Sequence, residues 1–269
     1  MLRTRIVTAV VLAIVVLGFL FGLPPAAGVA LIALVMLGGA WEWAQFAGFR
    51  RPPGRLAFTL ALAGLGALAW WQTADWTAWQ ALMAVAALWW FVAYLWLALR
   101  PHAIVRATVA IAGVLTLVPT WVALGRLLLI EHPVRGSQYL LYVLFIVWAA
   151  DIGAYFAGRA FGRLKLAPAV SPNKTWEGFL GGVAGTLLIA VAGANWFGLP
   201  RLPFVALGLA VGLASVVGDL TESLFKRYAG LKDSGSLLPG HGGVLDRIDS
   251  ITAAAPFFVL GLGWLGVLP

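Results

Sequence analysis

Long apolar stretches separated by short polar loops make up most of this chain. Nine of them are candidate membrane-spanning helices, at about residues 6–21, 26–43, 57–71, 80–99, 107–130, 139–158, 177–197, 203–225 and 250–268, and the first three are short. Roughly 20 apolar residues in a helix cross the hydrocarbon core, and the helix satisfies its backbone hydrogen bonds internally. The pattern therefore predicts an all-α, polytopic integral membrane helix bundle with about nine transmembrane helices.

The composition agrees with a membrane protein. Hydrophobic residues make up 62% of the 269 positions and charged residues only 10%, whereas roughly a quarter of a soluble domain is charged. The chain has no cysteine, which excludes disulfides and thiolate metal sites. Several tryptophans, namely Trp41, Trp43, Trp70, Trp71 and Trp76, flank apolar stretches, where an interfacial belt is expected.

Lysine and arginine are divided unequally between the loops. With a cytoplasmic N-terminus, 15 of the 18 basic residues fall on the cytoplasmic side, and only Arg126, Arg135 and Arg201 fall on the other. Cytoplasmic loops of membrane proteins are enriched in these residues. We therefore predict a bacterial-type inner-membrane protein with a cytoplasmic N-terminus, whose net charge of +8 requires no nucleic-acid partner. Arg3 and Arg5 ahead of the first stretch are also typical of a signal peptide, but we expect that stretch to remain as an uncleaved span.

The acidic residues divide the chain into two parts. Three of the ten precede residue 150, and the other seven lie between residues 151 and 249. We therefore interpret residues 1–138 as N-terminal transmembrane scaffold helices. Residues 139–269 are interpreted as C-terminal transmembrane catalytic helices with cytoplasmic loops.

Asp219 lies well inside an apolar stretch, residues 206–224. A carboxylate at the centre of a membrane costs about 2.5–3.5 kcal/mol on insertion scales, so it should face a cavity, a cation or a partner. Helical spacing places Glu222, Ser223 and Lys226 on the same face. The alternative to a functional site is an Asp–Lys pair, one or two turns apart, that only neutralises the charge.

A polar segment, residues 223–249, follows Asp219 and contains Ser-Leu-Phe-Lys-Arg, Lys-Asp-Ser-Gly, Pro-Gly-His-Gly-Gly and Asp-Arg-Ile-Asp in that order. The glycines around His241 allow backbone N–H groups to approach an anion closely. Asp246 and Asp249 are three residues apart, so they share one side of a helix that begins there. An ordinary interfacial turn would explain the glycines alone, but it would not explain the acidic and basic residues interleaved with them.

A second polar stretch runs from residue 151 to residue 178. Asp151, Tyr155 and Arg159 are spaced four residues apart at the end of an apolar helix, and residues 171–178 open the next helix. For Thr175 and Glu177 within these residues, helix capping and substrate contact are both open. The predicted orientation of the spans places Lys174 on the same side of the membrane as the 223–249 segment.

These two stretches together predict a site for a cation and phosphates at the cytoplasmic interface. Carboxylates without cysteine favour a hard ion such as Mg²⁺, and Lys, Arg and Gly-rich turns suit phosphates. The combination is typical of phosphoryl or nucleotidyl transfer to a substrate with a lipid half and a soluble half. An ion-coupled transporter using Asp151 and Asp219 is a more distant alternative, because most charges gather at one interface and no repeat is visible.

The 223–249 segment resembles the signature of phosphatidate cytidylyltransferases, also called CDP-diacylglycerol synthases. Asp-Ile-Gly-Ala-Tyr at 151–155, Ser-Pro-Asn-Lys-Thr-Trp-Glu-Gly at 171–178 and Val-Gly-Asp-Leu at 217–220 also resemble that family. The resemblance implies a dimeric, all-α membrane enzyme that condenses CTP with phosphatidate to give CDP-diacylglycerol and pyrophosphate in phospholipid synthesis. It implies Mg²⁺, with K⁺ as a candidate second cation. A neighbouring alternative is a CTP-dependent polyprenol kinase, which would release CDP instead of pyrophosphate.

The resemblance also implies roles for single residues. The metal-site carboxylates would be Asp219, Asp246 and Asp249, and these three with Lys226 form the expected catalytic group. The expected substrate-binding residues are Lys174, Ser223, Arg227, Lys232, His241, Gly242, Gly243 and Arg247. Because the phosphate of phosphatidate is mostly dianionic at neutral pH, the reaction needs relief from charge repulsion more than a general base. His241 is therefore expected to be a phosphate or structural ligand.

Overall fold

The computed structural model describes residues 14, 16–99, 104–130, 133–237 and 242–268. Eight complete helices lie in these ranges: α1 (Pro25–Phe46), α2 (Pro52–Gln72), α3 (Trp76–Leu99), α4 (Arg106–Leu128), α5 (Pro133–Phe161), α6 (Trp176–Phe197), α7 (Arg201–Tyr228) and α8 (Leu245–Trp264). Residues 16–22 are also helical. Helices α1 to α7 are long and apolar enough to cross a membrane. The prediction of an all-α, polytopic membrane bundle is confirmed. Of the nine expected spans, most of 6–21 lies outside the described residues, and α8, at the expected span 250–268, is not among the helices long and apolar enough to cross.

Local sequence signals set several helix ends. Proline opens α1 at Pro25 and α2 at Pro52, where the missing N–H would have no partner inside the helix. Thr175 caps α6, because its hydroxyl accepts a hydrogen bond from the N–H of Gly178 at 3.1 Å. Gly198 ends the same helix with a φ of 64°. The capping interpretation of Thr175 is thereby confirmed.

A short antiparallel hairpin separates α5 from α6. Its strands are β1 (Lys165–Ala167) and β2 (Ser171–Thr175), with Lys165 opposite Thr175 and Ala167 opposite Ser171. The sequence predicts no strand here and assigns residues 171–178 to the opening of the next helix, because strands of three and five residues without regular apolar alternation carry little pattern. The carboxylate of Glu177 accepts the N–H of Leu164 at 3.2 Å and so joins the start of the hairpin to α6.

Helix α8 packs against α1, α3, α4, α5 and α7, and its residues from Ser250 to Leu262 are mainly buried. Pro256 within this helix has no N–H, which leaves the carbonyl of Thr252 without its usual helical donor. The hydroxyl of Thr120 on α4 donates to that carbonyl at 2.9 Å. The interior of the bundle therefore satisfies a polar group that proline leaves open.

Trp43 differs from its expected interfacial position. Its side chain is buried, its indole N–H donates to the carbonyl of Val109 at 2.8 Å, and its ring packs edge-on against Phe225. The prediction for Trp43 is therefore wrong. Trp71 is 76% exposed on α2, as expected for a residue that faces lipid or the interface.

Candidate functional site

Asp219 pairs with a lysine from a different part of the chain. The Nζ of Lys174 on β2 forms an ion pair with Oδ2 of Asp219 on α7, and the hydroxyl of Ser223 donates to Oδ1 at 3.4 Å. About a quarter of each charged side chain remains exposed. The alternative of a local pair with Lys226 is wrong, because Lys226 contacts other carboxylates. The structure thus joins the two polar stretches through their charged residues.

A cavity of about 450 Å³ opens beside this ion pair, and we call it the polar cavity because seven of its lining residues are polar or charged. Helices α5, α6 and α7 and both strands of the hairpin form its walls. The hydroxyl of Tyr155 accepts a hydrogen bond from Arg159 at 2.9 Å within this lining. The polar residues that line the cavity are Asp151, Tyr155, Arg159, Asn173, Lys174, Thr175 and Asp219. The residues spaced four apart in the sequence therefore line one cavity. Asp151, Tyr155 and Arg159 are added to the candidate site residues.

Lys226 lies in a second cluster of charges where α7 ends and α8 begins. Its Nζ lies 3.1 Å from Glu222 Oε1 and 2.7 Å from Asp246 Oδ1. The other oxygen of Asp246 accepts the N–H groups of Ser234 at 2.9 Å and Gly243 at 2.8 Å. Hydrogen bonds to the charged form stabilise an ionised carboxylate. Asp246 is therefore held as an anion beside a largely buried ammonium group.

Asp249 lies one turn further along α8, where that helix meets α7 very closely. A Cβ added at Gly218 of α7 would fall 2.6 Å from the backbone oxygen of Asp249, so glycine permits this approach. The carboxylate of Asp249 accepts the N–H of Ser250 at 2.7 Å. It also lies within electrostatic range of Asp219 and Glu222. The contact between α7 and α8 thus gathers the predicted carboxylates in one region.

The fit of this region to a metal ion depends mainly on its donor chemistry. Carboxylate oxygens are the donors that Mg²⁺ prefers. Both oxygens of Glu222 are buried without a hydrogen bond in the described chain, although Lys226 pairs with one of them. The described residues contain no group of three acidic or histidine side chains close enough together to hold a metal ion. The donor set fits, and metal binding by Asp219, Asp246 and Asp249 stays a prediction.

The glycine-rich turn before α8 is described from Gly242 onward. Gly242 has a φ of +80°, which favours glycine, and the N–H of Gly243 donates to Asp246. This N–H, expected to contact phosphate, thus has a protein acceptor in the structure. His241 lies outside the described residues.

The remaining predicted cations lie on the exposed side of the site. Arg227 is exposed and donates to the carbonyl of Leu231 at 3.3 Å, and Lys232 is exposed in the loop after α7. Arg247 is exposed in the first turn of α8 and lies within electrostatic range of Asp151 in the polar cavity. Arg247 is therefore the member of this group with the clearest connection to the cavity.

Glu42 is a residue of this region that the sequence interpretation missed. It lies on α1, is fully buried, and accepts hydrogen bonds from Ser234, Val244 and Leu245. The signal was present, because Glu42 is an acidic residue within the predicted span 26–43, as Asp219 is within the span 203–225. An acidic residue in a membrane span is costly unless it has a partner, so Glu42 also required an explanation.

Comparison with known proteins identifies the family of this chain. The model of the cytidylyltransferase family matches residues 3–264. A phosphatidate cytidylyltransferase of Pseudomonas aeruginosa is 44% identical over 276 residues, which cover 98% of this chain and 99% of the relative. One from Haemophilus influenzae is 40% identical over 290 residues, which cover 96% of this chain and 97% of the relative. One from a Synechocystis strain is 54% identical over 46% of this chain and 44% of its own length. The chain therefore belongs to the cytidylyltransferase family.

Proposed function

We propose that this protein is a phosphatidate cytidylyltransferase that condenses CTP with phosphatidate to give CDP-diacylglycerol and pyrophosphate. The observation that carries the proposal is a polar cavity that shares a wall with an apolar one. The polar cavity contains the Lys174–Asp219 pair. The apolar cavity, of about 720 Å³, lies between α3, α6, α7 and the hairpin. Leu166, Phe179 and Val216 line both cavities.

This pair of cavities matches the two halves of a phospholipid. A phosphate beside Lys174 would leave its acyl chains next to the shared wall, in reach of the apolar surfaces of Trp90, Phe91 and Leu213. Burial of apolar chains in such a groove is favourable, and the ammonium of Lys174 suits the phosphate. A substrate with only a polar or only an apolar part would use one cavity and leave the other empty.

In the proposed reaction, a phosphate oxygen of phosphatidate attacks the α-phosphorus of CTP. The bond from that phosphorus to the oxygen bridging to the β-phosphate breaks, and pyrophosphate leaves with the electron pair. No proton needs to be removed from the attacking group, because the phosphomonoester is already mostly dianionic at neutral pH. Lys174, Lys226 and Arg247 would reduce the repulsion between the two anions and hold them in line.

Asp219, Asp246 and Asp249 would hold Mg²⁺, whose charge would neutralise part of the triphosphate. K⁺ is the candidate second cation. The hydrogen bonds from Ser234 and Gly243 to Asp246, and the contact of α7 with α8, would keep these carboxylates in place. Ser223 would orient Asp219.

The proposal includes a location and an assembly. The excess of basic residues in one set of loops supports an inner-membrane protein whose N-terminus and active site face the cytoplasm. The homodimer rests on the family resemblance alone.

Two labelled forms of CTP test the reaction. Purified protein is incubated with phosphatidate, Mg²⁺ and CTP labelled at the α-phosphorus; we expect label in the lipid and release of unlabelled pyrophosphate. CTP labelled at the γ-phosphorus should leave the lipid unlabelled. In a parallel incubation with a polyprenol, transfer of the γ-label to that lipid with release of CDP would support the kinase alternative instead. If the protein is folded but no α-label enters the lipid, the proposal is contradicted.

A further inference from the structure

Glu42 connects the first part of the chain to the predicted active site. Its side chain is fully buried, and within the described part of the chain its three hydrogen-bond donors lie about 200 residues later. Oε2 accepts the hydroxyl of Ser234 and the N–H of Leu245, each at 2.9 Å. Oε1 accepts the N–H of Val244 at 3.0 Å. A buried carboxylate is tolerated only where such donors replace water.

The first turn of α8 depends on this carboxylate. Val244 stands at the N-cap position, and its side chain makes no capping hydrogen bond. The N–H groups of Val244 and Leu245 instead donate to Glu42, which brings a negative charge to the helix N-terminus. Glu42 therefore caps α8 from another helix.

Ser234 links the cap to Asp246. Its hydroxyl donates to Glu42 and accepts the N–H of Asp246 at 3.3 Å, while its own N–H donates to Asp246 Oδ2. The other oxygen of Asp246 contacts Lys226. A continuous set of hydrogen bonds thus runs from Glu42 through Ser234 to Asp246 and Lys226.

The turn is closely fitted to the Glu42 carboxylate. A Cβ added at Gly235 would fall 2.4 Å from one carboxylate oxygen, and a Cβ added at Gly243 would fall 2.4 Å from the other. Side chains at these positions would displace Glu42 from its donors. The two glycines therefore serve this contact, in addition to any role near phosphate.

We infer that Glu42 is a positioning residue for nucleotidyl transfer: it acts through Ser234 and the start of α8 to hold Asp246 and Lys226. The inference rests on the proposed function of that site. Because Glu42 is fully buried, it acts without touching the substrate. A purely structural Glu42 would affect the amount of folded protein, whereas a positioning residue also affects the turnover of each folded molecule.

Glu42→Gln separates these two roles. Glutamine has the same shape, but one oxygen becomes an amino group that cannot accept an N–H of α8. We expect kcat per folded molecule to fall about tenfold or more, with a smaller change in the KM for CTP. Hydrogen exchange at residues 243–247 should become faster. Asp75→Asn is the matched control, since Asp75 caps α3 by accepting the N–H of Ala78 at 2.9 Å, and its kcat should be unchanged.

A double-mutant cycle tests the route through Ser234. If Glu42 acts through this residue, Glu42→Gln and Ser234→Ala together should lower kcat little more than the stronger single substitution. Additive effects, or an unchanged kcat in folded Glu42→Gln, would overturn the inference. If Glu42→Gln does not fold, Ser234→Ala takes its place, and an unchanged kcat again overturns the inference. Inactive wild-type protein would instead contradict the proposed function.

Discussion

Lys174, near the end of strand β2, forms an ion pair with Asp219, which lies 45 residues later on α7. The pair joins a hairpin outside the apolar stretches to a carboxylate inside one of them. Both side chains remain partly exposed at the polar cavity. The lysine therefore neutralises Asp219 at the surface of the cavity, and contact with an anionic substrate is its proposed second role.

Replacement of Lys174 with methionine should remove the cavity's ammonium group and leave Asp219 without its partner. We expect kcat/KM for the transfer of α-label to lipid to fall about 10²-fold, as for the loss of one group that stabilises transition-state charge. Lys165→Met is the matched control, because Lys165 is an exposed lysine of β1 in the same hairpin. Near-normal activity of Lys174→Met would remove Lys174 from the site.

Replacement of Asp246 with asparagine should abolish Mg²⁺-dependent turnover. The substitution removes the charge that pairs with Lys226, although Glu222 still contacts that lysine, so the protein should remain folded. Turnover is measured over a Mg²⁺ titration, with the folded fraction determined by size-exclusion chromatography. Asp233→Asn, in the exposed loop after α7, serves as the control and should retain activity. Wild-type turnover in Asp246→Asn would show that this carboxylate is dispensable.

Replacement of Gly218 with alanine should force α7 and α8 apart. The added Cβ would lie 2.6 Å from the backbone oxygen of Asp249 and 3.1 Å from the Cβ of Ala253. Overpacking of this kind destabilises proteins by about 1–3 kcal/mol, so the thermal midpoint in detergent should fall. Gly64→Ala is the control, because a Cβ there meets no atom within 4 Å. An equal midpoint for both variants would argue against a tight α7–α8 contact.

Replacement of Ala210 with tryptophan should obstruct the apolar cavity. Ala210 is exposed on α7 and lines that cavity, but it does not line the polar one. The KM for long-chain phosphatidate should rise several-fold, and the KM for CTP should change little, because acyl chains lose buried apolar area. Ala61→Trp, on the exposed surface of α2, is the control. Equal effects on both KM values would contradict the assignment of this cavity to acyl chains.

Single cysteines can test the proposed sidedness, because the natural chain has none. Ser236→Cys lies in the exposed loop after α7, and Ala74→Cys lies in the exposed loop between α2 and α3. A membrane-impermeant thiol reagent should label Ala74→Cys in intact spheroplasts and Ser236→Cys in inside-out vesicles. The reverse pattern would overturn the predicted orientation.

The pairing of charges illustrates what periodicity leaves open. Helical spacing placed Asp219 and Lys226 on one face of α7, and that placement is compatible with the structure. It did not indicate which neighbouring element each residue meets: Asp219 contacts the hairpin, and Lys226 contacts Asp246 on α8. Glu42 was missed for the same reason, because its donors come from the opposite end of the chain.

The sequence alone determined the membrane helices, since an apolar stretch long enough to cross a bilayer is a local property of the chain. It also located the polar segments, because charged residues stand out against an apolar background. Only the tertiary structure decided the charge partners, the hairpin, the burial of Trp43 and the cap that Glu42 provides for α8. Each of these depends on which helix faces meet, and that choice follows from packing between residues far apart in sequence.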